Sequence, residues 1–210
     1  RDWLKDIQQD NNLSNNAPAP WRNWVDTGYY QSLVAPRSIR YRTRQEQLPT
    51  DPARRSLLDC IVHFYKEHPD REYAFEKCAA EIVRLMDPKF AEIDLTRPWK
   101  DGGRDAVGLY RIGSAANTLP VEFALEAKCK IPDVNNSSGV KETSRLISRL
   151  RYRQFGIFIT TSCLHEQAFQ EIIEDGHPVL VVSGADIAEI LVKSGFNDTD
   201  IVRGWLKSFS

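Results

Sequence analysis

Past an irregular first stretch, apolar residues recur along the chain with two distinct periods. In DPARRSLLDCIVHFYKEH, Leu57, Leu58, Ile61, Val62 and Phe64 or Tyr65 fall at helical spacing behind an Asp-Pro start. His68-Pro69 marks the stop, and DREYAFEKCAAEIVRLMDP predicts a second amphipathic helix ending before Pro88. The period then changes to two. FAEIDL, Phe90 to Leu95, alternates apolar and acidic residues as a half-buried strand does, and RDAVGLYRIG and LPVEFALEAKC continue with β-branched and aromatic residues on either side of a polar SAANTLP loop. Next come a basic helix from Gly139 to Arg153, a short apolar run FGIFITT suited to a fully buried strand, a helical HEQAFQEIIEDG, a second such run PVLVVSG and a helical ADIAEILVKSG, with a short helix in NDTDIVRGWLKSF. Helices alternating with fully apolar strands indicate parallel additions to a sheet that began antiparallel.

Residues 1–50 lack either period. They hold NNLSNNAPAP and the aromatic residues Trp21, Trp24, Tyr29 and Tyr30, which could stack on bases but also suit an arm packed on its own domain. The expected division is therefore an arm or linker over 1–50 and one domain over 51–210. The chain starts at Arg1 rather than at methionine, so it is expected to be a piece of a longer protein or a processed product.

Composition narrows the classes. The 210 residues are 41% hydrophobic and 27% charged, ordinary for a globular chain, and no apolar run is long enough to span a bilayer. The first residues, RDWLKDIQQDNN, have no secretory character, so a cytoplasmic location is expected. Cys60, Cys78, Cys129 and Cys163 are scattered with no C-x-x-C pair, which argues against a zinc knuckle or a disulfide framework. A formal net charge of -1 means that any affinity for nucleic acid must come from a local patch. KETSRLISRLRYR is that patch, and a helix would line Lys141, Arg145 and Arg149 along one side; the competing reading is a merely solvated face.

Candidate chemistry concentrates between Trp99 and Lys130. Asp105 opens one predicted strand, and Glu126 and Lys128 close the next, twenty-one positions on from Asp105. Antiparallel neighbours bring those ends together, and residues two apart on a strand share a face. Two carboxylates offer hard oxygen ligands to a divalent cation, the Ala127 carbonyl offers another, and an adjacent ammonium can orient an attacking water. Gly102 and Gly103 allow a tight turn into the strand, and Asp101 is the competing carboxylate, read as a turn or capping residue. Glu-x-Lys is common on solvated strands, but charges inside an apolar strand persist mainly when paired or metal-bound. The four histidines show no ligand spacing, and Ser162, Cys163 and His165 lack a nucleophile-elbow context.

Taken in order, FEKCAAEIVRLM, FAEIDLTRPWKDGGRDAVGLY, FALEAKCK, FGIFITTS and HPVLVVSGADIAEIL resemble the catalytic domain of Mrr-like restriction endonucleases, in the PD-(D/E)xK nuclease superfamily. The resemblance covers about residues 71 to 194. It implies an α/β fold with a restriction-endonuclease-like αβββαβ core, a central mixed sheet flanked by helices, here with an extended N-terminal arm. It further implies Mg²⁺-dependent hydrolysis of double-stranded DNA, with Mn²⁺ as a substitute, Asp105 and Glu126 as metal ligands and Lys128 as the residue that positions water. Glu76 matches a glutamate of the first core helix that joins the site in several members, with Glu72 and Glu81 as alternatives and an ordinary helix-surface acid as the competing reading. Gln154 matches a position near the DNA backbone, or is a helix-end cap.

The leading expectation is the cleavage domain of a restriction enzyme acting on foreign, modified DNA, paired as a homodimer on its substrate and joined to an upstream recognition module. The alternatives are a Holliday-junction-resolvase-like or repair nuclease, separable with branched substrates, and a non-catalytic DNA-binding module, separable by metal binding that Asp105→Asn would abolish. Fold alone does not choose among substrates.

Overall fold

The computed structural model describes residue 22 and residues 39–68, 71–95, 106–114, 116–148, 150 and 155–209. The chain divides into two units, Arg1–Ser38 and Ile39–Ser210, and the architecture below is that of the second. Trp21, Trp24, Tyr29, Tyr30, Asp101, Gly102, Gly103, Asp105, Arg149 and Gln154 lie outside the described residues.

Helix α1, Pro52–Lys66, starts where the sequence predicts: the Asp51 carboxylate accepts from the Ala53 N–H and Pro52 occupies the first turn. Helix α2 is Arg71–Met86. The strands β1 (Phe90–Leu95), β2 (Ala106–Ser114) and β3 (Asn117–Lys128) form an antiparallel meander, and β4 (Phe155–Thr160) and β5 (Val179–Val182) add in parallel, giving a five-stranded sheet in the order β1-β2-β3-β4-β5. The parallel crossovers run through α3 (Val140–Ile147) and α4 (Glu166–Glu174), and α5 (Gly184–Lys193) and α6 (Thr199–Lys207) follow β5. From α2 to β4 this is the expected αβββαβ order, and the sheet is mixed as expected.

Side-chain alternation divides the core between the two faces of the sheet. Phe123, Leu125 and Ala127 of β3 pack with residues of α1, α2, α5 and α6, whereas Ala124, Phe158 and Val181 pack with Leu146 of α3 and Ala168, Phe169 and Ile172 of α4. Burying both faces along most of their length fits the largely apolar runs of β4 and β5 that the sequence displays.

Two elements differ from expectation. The β2–β3 connection is shorter than the polar SAANTLP segment suggests: Ser114 already pairs with Asn117, and β3 takes in Asn117 to Pro120. Gly113 adopts φ 117, which favours glycine at this tight reversal. Pro120 is tolerated because β4 joins β3 only from Phe123 onward, so no second neighbour needs its missing N–H. Helix α3 ends at Ile147 rather than Arg153; the Ser148 hydroxyl donates to the Arg145 carbonyl at 3.0 Å, a local bond that competes with helix propagation.

Residues 39–50 pack on this unit. Arg42 grips Asp186 with two parallel hydrogen bonds of 2.8 and 2.7 Å, and Asp186 in turn accepts from the Ser183 N–H and hydroxyl at the start of α5. The buried Gln47 amide donates to the Arg42 carbonyl at 3.1 Å and accepts from the Leu164 N–H at 2.9 Å. No helix among the described residues is long and apolar enough to cross a membrane.

Candidate active site at the end of β3

The site grows out of the last turn of the pleat in β3. Glu126 and Lys128 share the face that carries Ala124, the one covered by α3, while Ala127 points to the opposite face among α2 residues. Glu126 is 0% exposed although its strand neighbours are apolar, and Lys128 Nζ lies 2.9 Å from its Oε1. The Lys128 side chain is 25% exposed, so its ammonium spans the buried carboxylate and the solvent. A second cation converges on the same oxygen: Arg145 Nη1, from the last turn of α3, is 3.8 Å from Oε1 with its side chain 44% exposed. Burial of a carboxylate carries a large desolvation cost, and two cations on one face are the compensation visible here.

Asp105 directly precedes Ala106, and Ala106 is the register partner of Leu125, the residue before Glu126. Glu76 is half-buried on α2, a helix that packs on the face opposite Glu126. Lys141 is exposed in the first turn of α3, four residues before Arg145.

The loop after Lys128 is fastened from several directions that motif spacing does not reveal. Arg71 of α2 donates to the Cys129 carbonyl at 3.0 Å, Arg55 of α1 donates to the Pro132 carbonyl, and Arg44 donates to the Val134 carbonyl at 3.0 Å. The Thr161 hydroxyl lies 2.7 Å from the Lys130 N–H and 2.6 Å from its carbonyl oxygen. Lys130 Nζ then reaches the Ser137 carbonyl at 2.8 Å and Glu142 at 3.4 Å. Three guanidinium groups on backbone carbonyls hold the exit of β3 in place, and with it the orientation of Lys128.

Glu142 secures α3. Its carboxylate accepts from the Gly139 N–H at 3.0 Å, one half of a capping box. Burial opposes its ionisation, yet backbone hydrogen bonds from Glu142 itself and Gly139, with the Lys130 charge, outweigh that and hold its pKa below the usual carboxylate value. A carboxylate with a depressed folded-state pKa stabilises the fold above its unfolded-state pKa, and the contribution disappears as pH falls through the folded value. Glu142→Gln is therefore expected to lose roughly 1 kcal/mol at neutral pH, a figure set by the cap and its hydrogen bonds. The gap from the wild type should close as thermal melts are carried into acid; a gap that persists there would show that ionisation of Glu142 is not its source.

The donor set suits a hard divalent cation: a buried carboxylate with the Ala127 carbonyl as its neighbour along the strand. Among the described residues no group of three His, Cys, Asp or Glu side chains is placed to hold a metal. The four cysteines are unpaired by disulfides, and burial pushes all four thiols up, Cys78 the furthest. They contribute no thiolate chemistry at neutral pH.

Comparison with known proteins gives the chain's family and its structural relatives. The family profile described as restriction endonuclease, Mrr_cat, matches residues 71–191, more than half of the chain, and the chain belongs to that family. Among solved structures, the chain is similar to the DNA modification-dependent restriction endonuclease AspBHI, with 45% identity and a TM-score of 0.74 over 92% of this chain and 49% of that one. It is also similar to the MspJI restriction endonuclease in complex with a 27-mer oligonucleotide, with 28% identity and a TM-score of 0.66 over 92% of this chain and 44% of that one. The chain thus spans about half the length of these relatives. No curated protein sequence matches it.

Proposed function

We propose that this domain is a Mg²⁺-dependent endonuclease that hydrolyses phosphodiester bonds of foreign, modified double-stranded DNA in the cytoplasm, as the cleavage part of a restriction enzyme. The observation that carries the reading is the fully buried Glu126 with Lys128 Nζ at 2.9 Å, in a chain 45% identical to a modification-dependent restriction endonuclease. Asp105 and Glu126, with the Ala127 carbonyl, are the residues that would hold the cation, and Glu76 is the further acid proposed for the site. Bound there, a divalent cation supplies stabilisation of negative charge on the phosphate and on the leaving oxygen.

The chain's own groups do the rest. Lys128 orients the attacking water through its partly exposed ammonium, and its positive charge favours the deprotonated form of that water. In-line attack forms one P–O bond and breaks the bond to the leaving oxygen, with no covalent enzyme intermediate. Arg145 and Lys141 on α3, with Arg149 and Gln154 beyond it, contact the phosphate backbone and position the strand without reading sequence. Cutting both strands calls for two copies of this site, hence a homodimer or transient pairing on DNA. The relatives are about twice as long, which supports a separate recognition module in the same polypeptide.

The test is cleavage of unmodified and cytosine-methylated plasmid with Mg²⁺, and with Mn²⁺ in its place, beside Lys128→Ala. The expected result is cutting of methylated plasmid that is lost in the variant. Cutting that survives Lys128→Ala, or a metal-independent reaction, would overturn the assignment; cutting confined to branched DNA would favour a resolvase instead.

A further inference from the structure

A side chain, not the backbone, completes the pairing where β4 ends. In a regular parallel ladder the residue whose N–H bonds to the Lys128 carbonyl would offer its own carbonyl to the Lys130 N–H. Thr161 makes the first of these bonds, at 3.2 Å. Its carbonyl is turned instead toward the start of α5, where it lies 2.8 Å from the place that a Cβ on Gly184 would occupy. The Thr161 hydroxyl takes over at Lys130, accepting from the N–H at 2.7 Å and donating to the carbonyl at 2.6 Å. A single fully buried residue thus holds the backbone on both sides of Cys129. Arg71 and Arg55 hold the Cys129 and Pro132 carbonyls from longer, half-buried side chains, whose many rotamers constrain the loop less tightly.

We propose that Thr161 is a positioning residue for DNA cleavage: its hydroxyl extends the β3–β4 ladder past the end of β4 and so fixes where Lys128 carries its ammonium. The inference rests on the role given to Lys128 above and adds the group that sets its position. Lys128 is the last residue of β3, paired with Thr160 on the strand side and secured on the loop side by the Thr161 bonds. Valine has the shape of threonine without its hydroxyl, so in Thr161→Val the Lys130 N–H and carbonyl lose this partner and the exit of β3 is free to rotate. Rotation there moves Lys128 Nζ away from its place 2.9 Å from Glu126, and a misplacement of about 1 Å costs on the order of a hundredfold in rate. DNA affinity rests on phosphate contacts along the whole footprint and does not follow.

Plasmid cleavage and amide hydrogen exchange of Thr161→Val and Thr161→Ser test both halves. Thr161→Val is expected to cut methylated plasmid with kcat roughly tenfold or more below the wild type and KM within about twofold. Its Lys130 amide is expected to exchange roughly tenfold faster or more. Thr161→Ser, which keeps the hydroxyl, should recover most of both losses. Should valine prevent folding, Thr161→Ala beside Thr161→Ser carries the same comparison. Val202→Ala opens a cavity in the buried face of α6 and controls for lost stability: it lowers Tm and leaves kcat near the wild-type value well below the melt. A kcat in Thr161→Val that matches Val202→Ala, or a Thr161→Ser that recovers nothing, overturns the proposal. Unchanged exchange at Lys130 overturns the place of the hydroxyl in the ladder. If instead the wild type does not cut, or Lys128→Ala cuts normally, the reading of the site itself fails and the inference falls with it.

Discussion

Glu126→Gln is expected to lower DNA cleavage by roughly a thousandfold or more while leaving the fold close to its original stability. The amide keeps the shape of the side chain but removes the charge that would hold a cation. The stability side follows from who is left uncompensated. Lys128 and Arg145 both reach solvent, at 25% and 44% side-chain exposure, so losing their partner strands neither of them. The reverse substitution behaves differently. Lys128→Ala takes the nearer counter-ion from a carboxylate with no exposure of its own, and a loss of about 1–3 kcal/mol is expected on top of the loss of cutting. Cleavage assays and thermal melts of the two variants read both effects. Glu126→Gln cutting at the wild-type rate would remove this residue from the site; Glu126→Gln less stable than Lys128→Ala would reverse the account of the charge balance.

The largest effect on folding is expected at Phe158. It is fully buried, sits opposite Glu126 in the β3–β4 register, and fills the layer beneath α3 and α4 with Leu146, Ala168 and Phe169. Phe158→Ala removes a ring from a two-faced sheet that cannot collapse around the gap, because the other face of β4 is packed by Ile157 and Ile159 against α-helices. A loss of about 3–5 kcal/mol follows, read as a fall in Tm of roughly 10 °C. Denaturant unfolding measures it directly. A cost under about 1 kcal/mol would mean that α3 or α4 closes over the cavity, which would make this layer softer than its packing implies.

Hydrophobic period was enough to recover the order of elements here. The apolar runs of β4 and β5 announced a doubly covered sheet, the alternation in FAEIDL announced β1, and the Asp51-Pro52 start announced α1. The pairing of Glu126 with Lys128 was legible in the same way, because charges two apart in an otherwise apolar strand stand out against their neighbours. The ends of elements were less legible. Polar Asn117 and Thr118 read as loop yet extend β3, since cross-strand pairing with Gly113 and Ser114 outweighs their local preference. The basic run from Lys141 to Arg153 reads as one helix, but a serine at 148 offers its hydroxyl to the backbone and α3 stops.

What the amino-acid sequence determined by itself is thus the αβββαβ progression, the apolar faces and the presence of a Glu-x-Lys pair at the end of a buried strand, all set by local period and by the cost of burying charge. The tertiary structure alone decided that Arg145 shares an oxygen of Glu126, that Arg44, Arg55 and Arg71 fasten the loop leaving β3, and that Gln47 and Arg42 bind residues 39–50 to α5 and its neighbours. Those contacts join positions up to 144 residues apart. They depend on sheet register and on which face a helix covers, quantities that no local pattern encodes and that only the packed chain brings into being.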